Sequence, residues 1–130
     1  MKSYNSYINE VKSYEKETFR ILNILFDIEK ANNLISKNPN RFLIDGNPIK
    51  IDLNDLSQYF NGLVGINKEY AESIPDDELG IYGIWVEMED LHFLIDGWHR
   101  AYKCWINGDK IFNAYVIKDP IDIKKIVTYL

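Results

Sequence analysis

The chain reads as an α+β protein, a mixed sheet flanked by short helices. Three observations predict this. Apolar runs of strand length intermix with segments whose apolar residues recur at helical spacing. Turn pairs such as Asp45-Gly46, Asn61-Gly62 and Asn107-Gly108 separate them. Residues 91–117 also compress the whole pattern into one unit: an apolar run ending on Asp96-Gly97, a helical face, a glycine stop and a second apolar run.

Taken in order, Tyr4, Tyr7, Ile8, Val11 and Tyr14 form a helical stripe. It marks residues 1–18 as an N-terminal helical extension that packs on the domain or makes a homodimer contact. Residues 19–130 form the domain proper. Residues 19–26, nearly all apolar, read as one buried strand. A helix then starts at Asp27, with Ile28, Ala31, Leu34 and Ile35 inward, and ends at Asn38-Pro39-Asn40. Residues 41–44 and 49–51 flank Asp45-Gly46-Asn47-Pro48, a hairpin signal. Asn54 caps a short helix reaching Phe60, and 67–73 is another helical piece before Pro75. Residues 81–88 and 91–95 pair as a hairpin across Glu89-Asp90. Trp98, Ala101, Tyr102 and Trp105 then recur at i, i+3, i+4 and i+7, one face of a helix. Asn107-Gly108 closes it and 111–117 is the next strand, which gives a βαβ-like unit of minimal length. Ile123, Ile126, Val127 and Leu130 predict a C-terminal helix.

The totals exclude several classes of function. A chain of 130 residues has room for a genuine core. No apolar run approaches the roughly 20 residues needed to span a bilayer, and the start lacks the apolar region of a signal peptide. The single cysteine, Cys104, rules out an internal disulfide and fits a reducing compartment, so the cytoplasm is the expected location. A net charge of −5 argues against non-specific nucleic-acid binding, which depends on Lys and Arg neutralising phosphates. The charge is uneven. Glu72, Asp76, Asp77, Glu78, Glu87, Glu89 and Asp90 crowd one stretch, whereas Arg100, Lys103, Lys110, Lys118, Lys124 and Lys125 gather in the last third. A local basic face on an acidic protein suits a small anion better than a long polyanion.

The turn Asp96-Gly97-Trp98-His99-Arg100 is the candidate site. A helix that begins straight after a strand presents unpaired N–H groups and the positive end of its dipole. Gly97 has no Cβ to hold a ligand away. Arg100 and His99 stand in the first turn to grip phosphate oxygens, Arg100 with two parallel bonds, and Lys103 follows one turn on. Asp96 either caps the helix or holds Arg100 or a ligand-borne metal. An Asp-capped helix after an Asp-Gly turn also needs no ligand at all.

Phe93-Leu94-Ile95-Asp96-Gly97-Trp98-His99-Arg100, followed by Ala101 and the closing strand, resembles the signature of the ParB/sulfiredoxin superfamily, most closely a ParB-like N-terminal domain. The likeness is tight over about ten residues and looser over roughly residues 19–118. It implies a small domain whose Gly-x-His-Arg turn binds the phosphates of a nucleotide, with Gly97, His99 and Arg100 in that role and Asp96 beside them. The position of the sulfiredoxin catalytic cysteine holds Trp98 here, so sulfinic-acid reduction is not implied. The superfamily hosts several activities. Binding of a phosphate-bearing ligand is therefore set beside two alternatives: a nucleotide hydrolase or phosphotransferase using Mg²⁺, and a protein–protein interaction module of phage or defence origin with a vestigial turn.

Other candidates are weaker. His92 and His99 lie on different elements and, with one thiol, offer no zinc spacing. His92 reads as a structural strand residue and Cys104 as a buried, inert thiol. Glu87 and Glu89, on one side of a strand, would hold Mg²⁺ if that strand edged the turn. Glu69 and Tyr70 are placed near the pocket by the resemblance. Trp85 and Trp105 read as core, while Trp98 offers a face on which a base could stack.

Overall fold

The computed structural model describes residues 17–130, so the N-terminal stripe and the homodimer contact expected from it lie outside the described residues. The mixed α+β class holds: helices surround two sheets. The first sheet is antiparallel, in the order β1 (Thr18–Ile21), β2 (Ile24–Asp27) and β7 (Val127–Tyr129). The second contains β3 (Ile49–Asp52), β6 (Ile111–Ile117), β4 (Gly83–Glu87) and β5 (His92–Asp96), in that order, with β4 and β6 parallel and the other pairs antiparallel.

The expected single strand over 19–26 is instead the β1–β2 hairpin. The chain reverses at Leu22-Asn23, with Leu22 exposed and in the left-handed region at φ 54°. Helix α1 (Ile28–Lys37) begins as expected: the Lys30 amide donates to the Asp27 carboxylate at 3.0 Å, and Ile28, Ala31 and Ile35 are buried. Burying an isoleucine side chain of this kind contributes about 1.5–3 kcal/mol. The hairpin expected around Asp45-Gly46 shrinks to one bridge, Ile44 to Asn47, because Pro39–Phe42 winds into a 3₁₀ turn that its proline initiates. Asp52 rather than Asn54 caps α2 (Leu53–Ser57), accepting from the Asn54 amide at 2.8 Å. Asn67 caps α3 (Lys68–Glu72).

The β4–β5 hairpin closes across Glu89-Asp90, where the Met88 amide donates to the Leu91 carbonyl. Helix α4 (Trp98–Ile106) then carries the chain to β6, and Gly108 ends it at φ 90°. This is not a simple βαβ unit. Strand β4 lies between β5 and β6, so the strands on either side of α4 are antiparallel and do not touch; the parallel pair is β4 with β6. The expected C-terminal helix is also divided. Helix α5 (Pro120–Ile126) stops at Ile126 and Val127–Tyr129 pairs with β2.

The core joins Phe26, Ile28, Leu53, Ile84, Val86, Leu94, Ile95, Phe112 and Ile117 across both sheets. Among the described residues no helix is long and apolar enough to cross a membrane.

Candidate functional site

Strand β5 delivers Asp96 to the end of the second sheet, and Gly97 turns the chain into α4 at φ 105°. That turn forms one wall of a cavity of about 280 Å³. Asp96, Gly97, Trp98, His99 and Arg100 line it together. The opposite walls come from Glu17, Thr18 and Phe19 at the start of β1, and from Val64, Gly65, Tyr70 and Ile74 around α3. Sequence reasoning misses all of these except Tyr70, since nothing local in an apolar strand or a loop reports which distant turn it faces.

Arg100 dominates the site. It is only 9% exposed, yet its guanidinium is poorly paired. One Nη lies 3.8 Å from the Asp96 carboxylate and 3.5 Å from the Tyr82 carbonyl, and Nε is buried with no hydrogen-bond partner. The first distance is too long for a hydrogen bond and the second is at its limit. A guanidinium carries five donors, and burying them unmet costs several kcal/mol. Asp96 is partly buried beside it. Burial holds its carboxyl above the usual carboxylate range, against the pull of Arg100 and of a hydrogen bond from the Gly97 amide.

Four expectations about the turn change. Asp96 does not cap α4; the cap residue is Gly97, which supplies no side-chain bond. The missing Gly97 side chain does not make room for a ligand either. A Cβ there would stand 3.1 Å from the Gly83 Cα and from the Phe112 ring, on the sheet side of the turn. Trp98 presents no stacking face, being 5% exposed among Tyr59, Phe60 and Phe93, with its indole N–H donating to the Leu94 carbonyl at 2.6 Å. Lys103 points elsewhere: its Nζ donates to the Glu72 carbonyl at 2.6 Å, neutralising the end of α3.

His99 is present but not as a cation. Its Nε2 accepts from the Asn67 amide at 3.0 Å, which requires that nitrogen to be unprotonated, and its ring meets Tyr70 edge-on at 5.3 Å. Burial lowers its pKa and the Arg100 charge lowers it further. A depressed histidine contributes stability that is fully present above its unfolded value of 6.5 and is lost as pH falls through the folded value. The urea midpoint of the wild type should therefore fall more steeply below pH 6.5 than that of His99→Gln. Parallel curves would show that His99 does not titrate this way. Asp96, with its pKa raised, works in the opposite sense and is common to both proteins.

The remaining candidates lie apart from the turn. Glu87 sits opposite His92, and Ile84 opposite Asp96, so Glu87 is roughly 10 Å along the strand from the site. Glu89 belongs to the connecting turn rather than the strand. Both line a separate cleft with Lys118 and Lys124, so the basic residues of the last third do not share one face. Among the described residues no group of three or more His, Cys, Asp or Glu side chains could hold a metal ion. Glu69 is exposed and outside the cavity wall, whereas Tyr70 lines it. His92 is exposed rather than packed. Cys104 is buried, its thiol pushed up to about 11 by burial and by Asp109, which leaves it unreactive. No protein-family model matches the chain, and neither the curated proteins nor the solved structures provide a match.

Proposed function

We propose that the chain binds a small phosphate-bearing ligand of the nucleotide type at the β5–α4 turn. The observation that carries this reading is Arg100: a buried guanidinium, its Nε without a partner, lining a cavity at the start of a nine-residue helix that has no side-chain cap. Such a group is stabilised by an anion, and a phosphate oxygen pair meets its fork with two parallel bonds. The amides of the first helical turn add donors and the favourable end of the dipole. His99 contributes as a neutral hydrogen-bonding group held by Asn67, not as a charge. The likeness of residues 93–101 to the ParB/sulfiredoxin phosphate turn supports the same reading. A cytoplasmic setting fits the lone, buried thiol.

The test is thermal unfolding in the presence of nucleoside mono-, di- and triphosphates, each with and without Mg²⁺. A ligand held only by the native state raises the melting temperature, by the equivalent of about 2.7 kcal/mol at a hundred times its dissociation constant. Arg100→Lys keeps the charge, removes the fork and should weaken the response at least about tenfold. A variant that responds like the wild type, or a wild type that responds to none of the series, overturns the assignment.

A further inference from the structure

Resting on that reading, we propose that the ligand carries a single phosphate and, within reach of it, a free hydroxyl such as the 3-hydroxyl of a ribose 5-phosphate unit. In this arrangement Asp96 accepts from the hydroxyl and excludes di- and triphosphates. The charges around the cavity point this way. Among the described residues lining it, Arg100 is the one lysine or arginine, and the acid Asp96 stands beside it. His99 adds no charge, since its Nε2 accepts from Asn67, and Lys103 is turned to the Glu72 carbonyl. One phosphate can be balanced by Arg100 and the helix start. A second would be pressed against Asp96, which stands only 3.8 Å from the guanidinium and, at a pH above its raised pKa, repels that phosphate as a carboxylate.

Asp96 and Arg100 are also too far apart to satisfy each other. The carboxylate has acceptor capacity to spare, just as the guanidinium has donors. A phosphate monoester with such a hydroxyl meets both: its oxygens accept from Arg100 while its hydroxyl donates to Asp96. Size agrees. A cavity of about 280 Å³ falls at the small end of ligand pockets, suited to a sugar phosphate unit rather than an extended polyphosphate chain. Phe19, Val64 and Ile74 give the rest of such a ligand an apolar wall.

Three probes at matched ionic strength separate the terms: ribose 5-phosphate, propyl phosphate, which lacks the hydroxyl, and pyrophosphate, which carries the extra charge. Calorimetric titration should show ribose 5-phosphate binding at least about tenfold tighter than either of the others, the size expected of one hydrogen bond to a charged group. Asp96→Asn should strengthen pyrophosphate binding about tenfold, because one repelling charge is gone. Asp96→Ala should erase the preference for ribose 5-phosphate over propyl phosphate while propyl phosphate still binds. Pyrophosphate binding the wild type as tightly as ribose 5-phosphate overturns the inference but leaves the phosphate site standing, as does a hydroxyl preference that survives Asp96→Ala. If none of the three binds, the phosphate site itself fails and the inference falls with it.

Discussion

Gly97→Ala is expected to destabilise the fold by about 3–5 kcal/mol, whether or not phosphate is present. Two costs coincide. At φ 105° an L-residue is strained, and the new Cβ would be driven to 3.1 Å from the Gly83 Cα and two atoms of the Phe112 ring. None of these can yield cheaply, because Gly83 lies on β4 and Phe112 is 2% exposed in the core. Gly108 is the internal control. It has a similar φ of 90°, but a Cβ there would meet nothing within 4 Å, so Gly108→Ala should cost only the backbone strain, about 1–2 kcal/mol. Urea denaturation of the two variants measures the difference. Equal losses would mean that the sheet relaxes around Gly97, and that the glycine serves something other than packing.

The glycine also shows where sequence reasoning succeeds and where it stops. That a helix begins after Gly97 and ends at Gly108 is legible, because periodicity and turn residues are local signals, and α4 and β6 fall where those signals place them. The β4–β5 hairpin is legible for the same reason. What Gly97 packs against is not, since Gly83 and Phe112 are distant in sequence. The β1–β2 reversal carries no signal: Leu22 adopts a left-handed conformation that its residue type does not announce. In Val127-Thr128-Tyr129 a signal exists and is outweighed. Three residues with strand propensity continue a helical spacing, and pairing with β2 prevails. At the site, the cluster of Asp96, His99 and Arg100 is legible as a motif, but not its electrostatics. Whether His99 is charged depends on an Asn67 amide on another element, and where Lys103 points depends on the end of α3. The burial of Arg100 within its helix is invisible to a pattern that treats arginine as surface.

Arg41→Ala should destabilise the protein by about 2–4 kcal/mol, far more than loss of a surface ion pair, for which about 0–1 kcal/mol is usual. Asp122 on α5 is 1% exposed, and its Oδ2 forms an ion pair with an Arg41 Nη at 2.7 Å, while its Oδ1 has no partner. The same Nη reaches Asp119, the cap of α5, at 3.1 Å. Removing the guanidinium therefore strips a buried carboxylate of the cation paired with it. The upper end of the range for buried pairs is discounted because the Arg41 side chain is 46% exposed and partly hydrated. The source of the loss can be isolated. If it is the stranded charge, Asp122→Asn in the Arg41→Ala background should recover more than half of it, although Asp122→Asn alone destabilises. Additive effects of the two substitutions would instead assign the loss to the guanidinium's contact with the Phe42 ring, whose centroid lies 5.8 Å from its central carbon. The consequence reaches the candidate site through the fold: α5 leads directly into β7, β7 pairs with β2, and β2 holds β1, whose first residues form a wall of the phosphate cavity. Arg41→Ala should accordingly weaken ribose 5-phosphate binding as the first sheet loosens, with the Asp96 preference for a hydroxyl unchanged.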